Sequence, residues 1–303
     1  MMNKYLISIL GPTAIGKTKL AIELAEKYGT EIISADSRQF YKELNIGSAK
    51  PSNVDLNRVK HHLINNKSVK DSYSIGDFEK DALNSISKIH KKTDLAVLVG
   101  GSGLYLDVIN YGLDQIPKSD EKVRDFLNNE FKLKGLKHMQ NELKEKDLIS
   151  FKNIDLNNHR RIIRALEVTI SSGKPFSSYL KKEYTLRNFK KIQIGLRDER
   201  EMIYERINTR VDNMINEGLI NEAIDLISYK NLNSLNTIGY KEIFNYLDGK
   251  SNLDHAINEI KKNTRRFAKR QMTWFKSNKN IIWFKTNYKI EEVVKCIDDL
   301  ITD

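Results

Sequence analysis

The chain has 303 residues, 40% apolar and 30% charged, enough to bury a large core in one domain or two modest ones and too apolar for a disordered chain. No apolar run approaches the roughly 20 residues that span a bilayer, and the stretch ahead of Gly11 is too short for a signal peptide, so a soluble cytoplasmic protein, taken as a monomer, is expected. The single cysteine, Cys296, excludes an internal disulfide and a cysteine-pair zinc site, and the net charge of +11 suits a polyanionic partner only if the charge is suitably placed.

In chain order, residues 4–10 predict a buried strand. Residues 17–28 predict an amphipathic helix through Leu20, Ala21, Leu24 and Ala25. Residues 31–35 predict a second strand ending at Asp36, residues 94–99 a third ending at Gly100-Gly101, and residues 191–196 and 281–284 two later ones. Strands alternating with helices predict an α/β fold, a parallel sheet core with helices on both faces. Between about 117 and 189 the strand patterns vanish, with a break at Gly173-Lys174-Pro175. An all-helical insertion over 117–189 is therefore expected, hung on a core of 1–116 and 190–303. Residues 198–276 again read as largely helical, and no internal repeat is present.

Between the first strand and the first helix stands Gly11-Pro12-Thr13-Ala14-Ile15-Gly16-Lys17-Thr18. It matches the P-loop of NTPase-like folds in full and in the required context. Glycines let backbone N–H groups turn in around phosphate oxygens, the helix N-terminus adds a favourable dipole, Lys17 brings charge and the Thr18 hydroxyl can ligate Mg²⁺. The motif suits ATP or another nucleotide on spacing alone. A nucleotide triphosphatase would usually add an acid at the end of a later apolar strand, yet the 94–99 strand runs into Gly100-Gly101-Ser102-Gly103. The strand-end acid is Asp36, expected to face the phosphates as a Mg²⁺ ligand or general base. Ser102 lies in a glycine turn that can approach the same site. His61-His62 have no partner ligands in the pattern and read as structural.

Residues 256–276 place Ile257, Ile260, Thr264, Phe267, Ala268, Gln271 and Phe275 on one helical stripe. Lys261, Lys262, Arg265, Arg266, Lys269, Arg270 and Lys276 occupy the other side, with no acid from 261 through 276. Such a face repels itself unless a polyanion answers it, so nucleic-acid phosphates are the expected partner. A second cluster, Arg160, Arg161 and Arg164, opens a helix of the insertion. Arg206 and Arg210, one turn apart, would point the same way, toward nucleic acid or a leaving phosphate.

These segments together resemble the tRNA dimethylallyltransferases, or tRNA isopentenyltransferases, over essentially the whole chain. The resemblance rests on the Gly-Pro-Thr P-loop, residues 32–39 (Ile-Ile-Ser-Ala-Asp-Ser-Arg-Gln), 46–51 (Ile-Gly-Ser-Ala-Lys-Pro), 99–105 (Val-Gly-Gly-Ser-Gly-Leu-Tyr), 164–168 (Arg-Ala-Leu-Glu-Val), 238–242 (Ile-Gly-Tyr-Lys-Glu) and 263–275 (Asn-Thr-Arg-Arg-Phe-Ala-Lys-Arg-Gln-Met-Thr-Trp-Phe). It implies transfer of a dimethylallyl group from dimethylallyl diphosphate to N6 of the adenosine 3′-adjacent to the anticodon, in tRNAs reading codons that start with U. The P-loop and Mg²⁺ would then hold the departing diphosphate. The resemblance makes Asp36 the general base, with Ser102 beside it in place of the family's usual threonine. It places Lys17 and Arg206 among the catalytic residues and Arg210 at the diphosphate. Asp36, Ser37, Arg38, Gln39, Ser102, Arg124, Arg160, Arg161 and Arg164 are expected at the tRNA, together with Arg265, Arg266, Lys269 and Arg270 from the basic helix. Leu156-Asn157-Asn158 departs from the family's Pro-Asn-Asp, which leaves the contacts at that helix start open. The lone cysteine excludes the zinc finger of animal and yeast relatives and implies the bacterial form. A prenyltransferase acting on free AMP or ADP and a P-loop kinase are the alternatives; the first has no use for the basic helix.

Overall fold

Residues 5–10 are apolar at every position but Ser8, as a strand covered on both faces must be, and they form the fully buried strand β1 (Tyr5–Leu10). The computed structural model describes residues 4–118, 120–180 and 185–302. The chain divides into two compact units, Met1–Tyr111 with Leu186–Asp303, and Gly112–Thr185. The division falls a few residues earlier at both ends than the change in sequence pattern suggests.

After β1 come α1 (Lys17–Lys27), β2 (Ile32–Ser34), α2 (Asn53–Arg58), β3 (His61–His62), α3 (Ile75–His90), β4 (Leu95–Val99) and α4 (Gly103–Tyr111). The smaller unit then contributes α5 (Glu121–Lys146), α6 (Leu148–Asn153) and α7 (His159–Ser172). The chain returns with β5 (Lys190–Arg197), α8 (Arg200–Asn216), α9 (Leu219–Asp225), α10 (Tyr240–Leu247), α11 (Leu253–Lys276), β6 (Ile282–Lys285) and α12 (Ile290–Thr302). The six strands lie in the order β3-β2-β4-β1-β5-β6, every neighbouring pair parallel.

A parallel sheet sends all its strand C-termini to one edge, and that edge is where such folds bind ligands. The loops after β1, β2, β4 and β5 therefore converge, which brings the P-loop, Asp36, Gly100-Gly101 and Asp198 to the same side of the sheet. Only β3 escapes the apolar-run reading. Its two histidines pair with Ile32 and Ile33, and the His62 ring lies 2.5 Å from Glu31 Oε2, so edge pairing and a side-chain hydrogen bond make a strand without an apolar pattern.

The sheet's main core joins β1, β4 and β5 to α1 and α12 through Ile7, Ile9, Leu20, Leu24, Val97, Ile194, Val293 and Ile297. A second cluster gathers Phe40, Leu44, Leu219, Tyr240, Ile243 and Phe244. Helix α11 is amphipathic over 24 residues and serves both: Ile260 packs in the second cluster and Ala268 in the first.

The smaller unit has its own core of Leu127, Met139, Leu143, Ile162, Ile163 and Leu166. Helix α5 is two helical stretches, interrupted at Gly135 with φ 76° and ψ −178°. Asp147, 3% exposed, accepts from the Ser150 N–H at 2.9 Å and hydroxyl at 2.6 Å, and from the Ser177 N–H at 2.8 Å and hydroxyl at 2.7 Å. Burial alone pushes its carboxyl up, but these four donors overcome it and hold it below the ordinary value. Asp147→Ala removes the α6 cap and strands the donors, so we expect it to destabilise this unit by about 2–4 kcal/mol. The measurement is hydrogen exchange over residues 120–180, with exchange across the sheet unchanged. The wild type should lose part of this stability as pH falls below 3.8, because a carboxyl held low in the fold contributes fully above its unfolded value and loses that contribution as pH falls on through its folded one.

Candidate active site

The P-loop begins with a backbone that only glycine tolerates. Gly11 has φ +140°, and a Cβ there would lie 2.7 Å from the Leu196 carbonyl oxygen on the adjacent β5. Gly16, at φ 98°, caps α1 without a side-chain hydrogen bond, which leaves the helix N-terminus open to an anion. A cleft of about 280 Å³ lies over this turn, floored by Thr13 through Thr18, with Asp36, Gln39, Ser48, Ala49, Gly100 and Arg210 around it.

Three charged side chains, each partly buried, meet in that cleft. Lys17 Nζ donates to the Pro12 carbonyl at 2.7 Å. Burial first and the neighbouring Arg210 second lower its pKa to about 7, with Asp36 opposing both. Arg210 reaches the Thr13 hydroxyl at 3.4 Å, and burial pushes its guanidinium below the ordinary range. Asp36 moves the other way. Burial raises its carboxyl, against the Arg38 N–H that it accepts at 2.9 Å and the charge of Lys17. The cleft thus holds two cations pushed toward losing their protons and a carboxylate pushed toward gaining one. An entering phosphate dianion would reverse the cost to the cations.

The walls are tied down by residues that pattern reading filed elsewhere. Gln39 accepts from the Ser34 hydroxyl at 2.9 Å and donates to the Ala49 carbonyl at 3.2 Å, fixing Ser48-Ala49 over the cleft. Glu222 on α9 accepts the N–H groups of Asn45, Ile46 and Gly47 at 3.0, 2.9 and 3.0 Å and the Tyr240 hydroxyl at 2.5 Å. That carboxylate clamps the loop that carries Ser48. No motif or spacing in the sequence marks it. Gln271, placed by periodicity on the apolar stripe of α11, is buried there but hydrogen-bonded to Thr13 and Gly101.

The remaining candidates divide. Gly11 and Pro12 start the loop, and Ser102 follows the lining glycines at the entry to α4. Ser37 and Arg38 lie in the loop after β2, with Arg38 donating to the Ser234 carbonyl at 2.9 Å. Arg206 turns from the cleft toward Asp198, 3.5 Å away, and the Thr286 hydroxyl at 3.1 Å, although Arg210 on the same helix does not. Asp198 also corrects the reading of Asp36 as the strand-end acid near the loop. The order of the sheet puts β5 directly against β1, so a second acid ends a strand beside the P-loop, occupied by Arg206 and Thr286.

The basic side of α11 is likewise answered partly from within. Lys261 pairs with Asp212 at 2.6 Å, Lys262 pairs with Glu259, and Arg265 donates to Asn208 at 2.7 Å. Arg266, Lys269, Arg270 and Lys276 are exposed. In the smaller unit Arg160 and Arg161 are exposed, whereas Arg124 and Arg164 approach the buried Glu167 at 2.9 and 3.4 Å.

Residues 39–278 match the family model described as IPP transferase. The chain belongs to the IPP transferase family. It is 51% identical to the tRNA dimethylallyltransferase of Christiangramia forsetii over 99% of both chains, and 49% identical to that of Flavobacterium johnsoniae over 97% of both. Among solved structures, the full-length tRNA isopentenylpyrophosphate transferase of Bacillus halodurans is similar with a TM-score of 0.72 and 38% identity, covering 99% of this chain and 96% of that one. A eukaryotic dimethylallyltransferase acting on tRNA superposes with a TM-score of 0.83 at 26% identity, covering 99% of this chain and 80% of that one. The chain is accordingly a transferase with the P-loop α/β fold of these enzymes. Among the described residues no helix is long and apolar enough to cross a membrane.

The lysine sets a pH dependence for this IPP transferase's phosphate site. With Lys17 titrating at about 7 in the free cleft, an anion that favours its charged form binds best below that pH. Affinity for inorganic diphosphate should fall as pH rises from 7 to 9, by up to about tenfold per unit beyond any change in Lys17→Met. Calorimetry on the two proteins reads the difference between their slopes.

Proposed function

We propose that the protein transfers a dimethylallyl group from dimethylallyl diphosphate to N6 of the adenosine 3′-adjacent to the anticodon of tRNAs that read codons beginning with U. The observation that carries the reading is the meeting of Asp36, Lys17 and Arg210 over the P-loop turn, in a chain of the IPP transferase family. The relatives are named for tRNA as substrate, and the exposed Arg266, Lys269, Arg270 and Lys276 supply a face for its phosphates.

In the reaction the adenine N6 bonds to the allylic carbon while the bond from that carbon to the diphosphate oxygen breaks. The N6 proton passes to a carboxylate oxygen of Asp36, whose affinity for protons is raised by burial, as suits a base. The electron pair leaves with the diphosphate. The amides of the turn, Lys17 and Arg210 stabilise the charge that develops there, and burial makes each of them worth more than in water. Asp36 is recessed beside the sheet edge, so the acceptor base must leave its stack to reach it. Arg206, held by Asp198, supports the wall of the site through α8.

Mg²⁺ suits the donor set. The Thr18 hydroxyl lines the cleft, and this ion commonly takes few protein ligands and fills its shell with phosphate oxygens and water. No trio of acidic, histidine or cysteine side chains among the described residues offers a full cage. When bound, the ion neutralises part of the diphosphate charge.

Labelled dimethylallyl diphosphate offered with unmodified tRNA, and separately with AMP, tests the reading. Label in tRNA is expected. Label only in AMP would overturn the choice of acceptor, and turnover of ATP with a phosphate acceptor would mark a kinase. Asp36→Asn keeps an acceptor for the Arg38 N–H and removes the base. Its turnover should fall by about 10²–10⁴-fold with diphosphate and tRNA binding retained, and full activity would remove Asp36 from that role.

A further inference from the structure

Helix α11 holds the active site from the side opposite its exposed cations. Gln271 is 6% exposed. Its Oε1 accepts the Thr13 N–H at 2.9 Å and its Nε2 donates to the Gly101 carbonyl at 2.8 Å. The amide packs closely on Gly101, where a Cβ would lie 2.3 Å from Nε2 and displace it. One turn on, the Trp274 ring lies where a Cβ on Gly103 would come within 2.5 Å, and its Nε1 donates to Asp107 at 3.1 Å. Ser102 is thus held between two anchor points on a single helix.

The two loops joined by Gln271 carry the two halves of the proposed reaction. The P-loop holds the leaving group; the turn at 100–103 borders the place of the acceptor. We propose that Gln271 is a positioning residue that sets the separation of these loops, and so the alignment of the allylic carbon with the attacking nitrogen. The inference rests on the dimethylallyl-transfer reading.

An amide is the group this task needs, because it offers one acceptor and one donor on a rigid plane. A carboxylate would keep the bond from Thr13 and set a bare oxygen against the Gly101 carbonyl. A thioether of the same length keeps the volume and loses both bonds. The bond to Thr13 also takes that N–H out of the phosphate cradle, which then starts at Ala14, and leaves the Thr13 hydroxyl facing Arg210. The fold has other means of seating α11, through Ile260, Ala268 and Phe275, so the bridge is not what forms the helix.

Gln271→Met and Gln271→Glu separate positioning from packing. At saturating dimethylallyl diphosphate and tRNA, Gln271→Met should lower kcat by about 10²-fold, the scale of a 1 Å misplacement, with KM for tRNA unchanged. Gln271→Glu should retain the affinity of wild type for inorganic diphosphate and still lose kcat. Both are read against circular dichroism and thermal melting. A Gln271→Met protein with wild-type kcat and only a lower melting temperature would overturn the proposal, as would full kcat in Gln271→Glu should the methionine variant not fold. Failure of the wild type to label tRNA would instead sink the functional reading.

Discussion

Two cations and a carboxylate share a partly buried cleft at the edge of the sheet, and burial works against the charged form of each. Isolated buried charge is expensive, and these three do not form one closed ion pair. Lys17 rests on the Pro12 carbonyl and Arg210 on the Thr13 hydroxyl, neutral partners that leave positive charge unbalanced. Asp36 is held by the Arg38 N–H rather than by either cation. A phosphate dianion entering between them would raise the proton affinity of both cations at once.

Holding such a site open depends on backbone approach more than on side chains. Gly11 sits against Leu196, Gly100 against Ala35, Gly101 against Gln271 and Gly103 against Trp274. At each of these a Cβ would come closer than 3 Å to a neighbour. Packing of this kind lets four loops from separate strands close on one point. The remaining wall, the loop with Ser48 and Ala49, is tied down by Gln39 and Glu222. Rigid placement is worth most where a reaction needs two loops in register, as between the P-loop and the turn that bears Ser102.

The fold was largely legible in the sequence because its signals are local. Apolar runs marked five of the six strands, and the P-loop stood between its strand and its helix. The cleft was legible mainly where a motif concentrates it, in residues 11–18 and 32–39, with Gly100, Gly101 and Arg210 named from outside those segments. Gln271 and Glu222 escaped for a physical reason. Their roles are hydrogen bonds to backbone groups far away in the chain, and no spacing rule encodes such a contact. Gln271 even satisfied the periodicity of a core residue, since it is one. The sixth strand was missed for a similar reason, because His61-His62 are held by pairing and by Glu31 rather than by apolar burial. Asp198 shows the limit for acids: sequence gives the strand that an acid ends, and only the strand order shows that this strand borders the P-loop.

Charge is where pattern reading claimed too much and structure narrows the claim. The basic side of α11 looked unanswered because no acid lies within it, yet α8 supplies Asp212 and Asn208 to Lys261 and Arg265. Repulsion along the helix is therefore relieved in its first half without any ligand. The argument for a polyanion rests on the second half, where Arg266, Lys269, Arg270 and Lys276 remain exposed. This is also the half whose buried side carries Gln271 and whose Trp274 braces Gly103. The helix segment with most to gain from a polyanion is thus the segment that braces the cleft. A strongly basic net charge says little about this by itself. What carries the weight is that the unspent part of it lies on the outer side of a helix whose inner side fixes the P-loop.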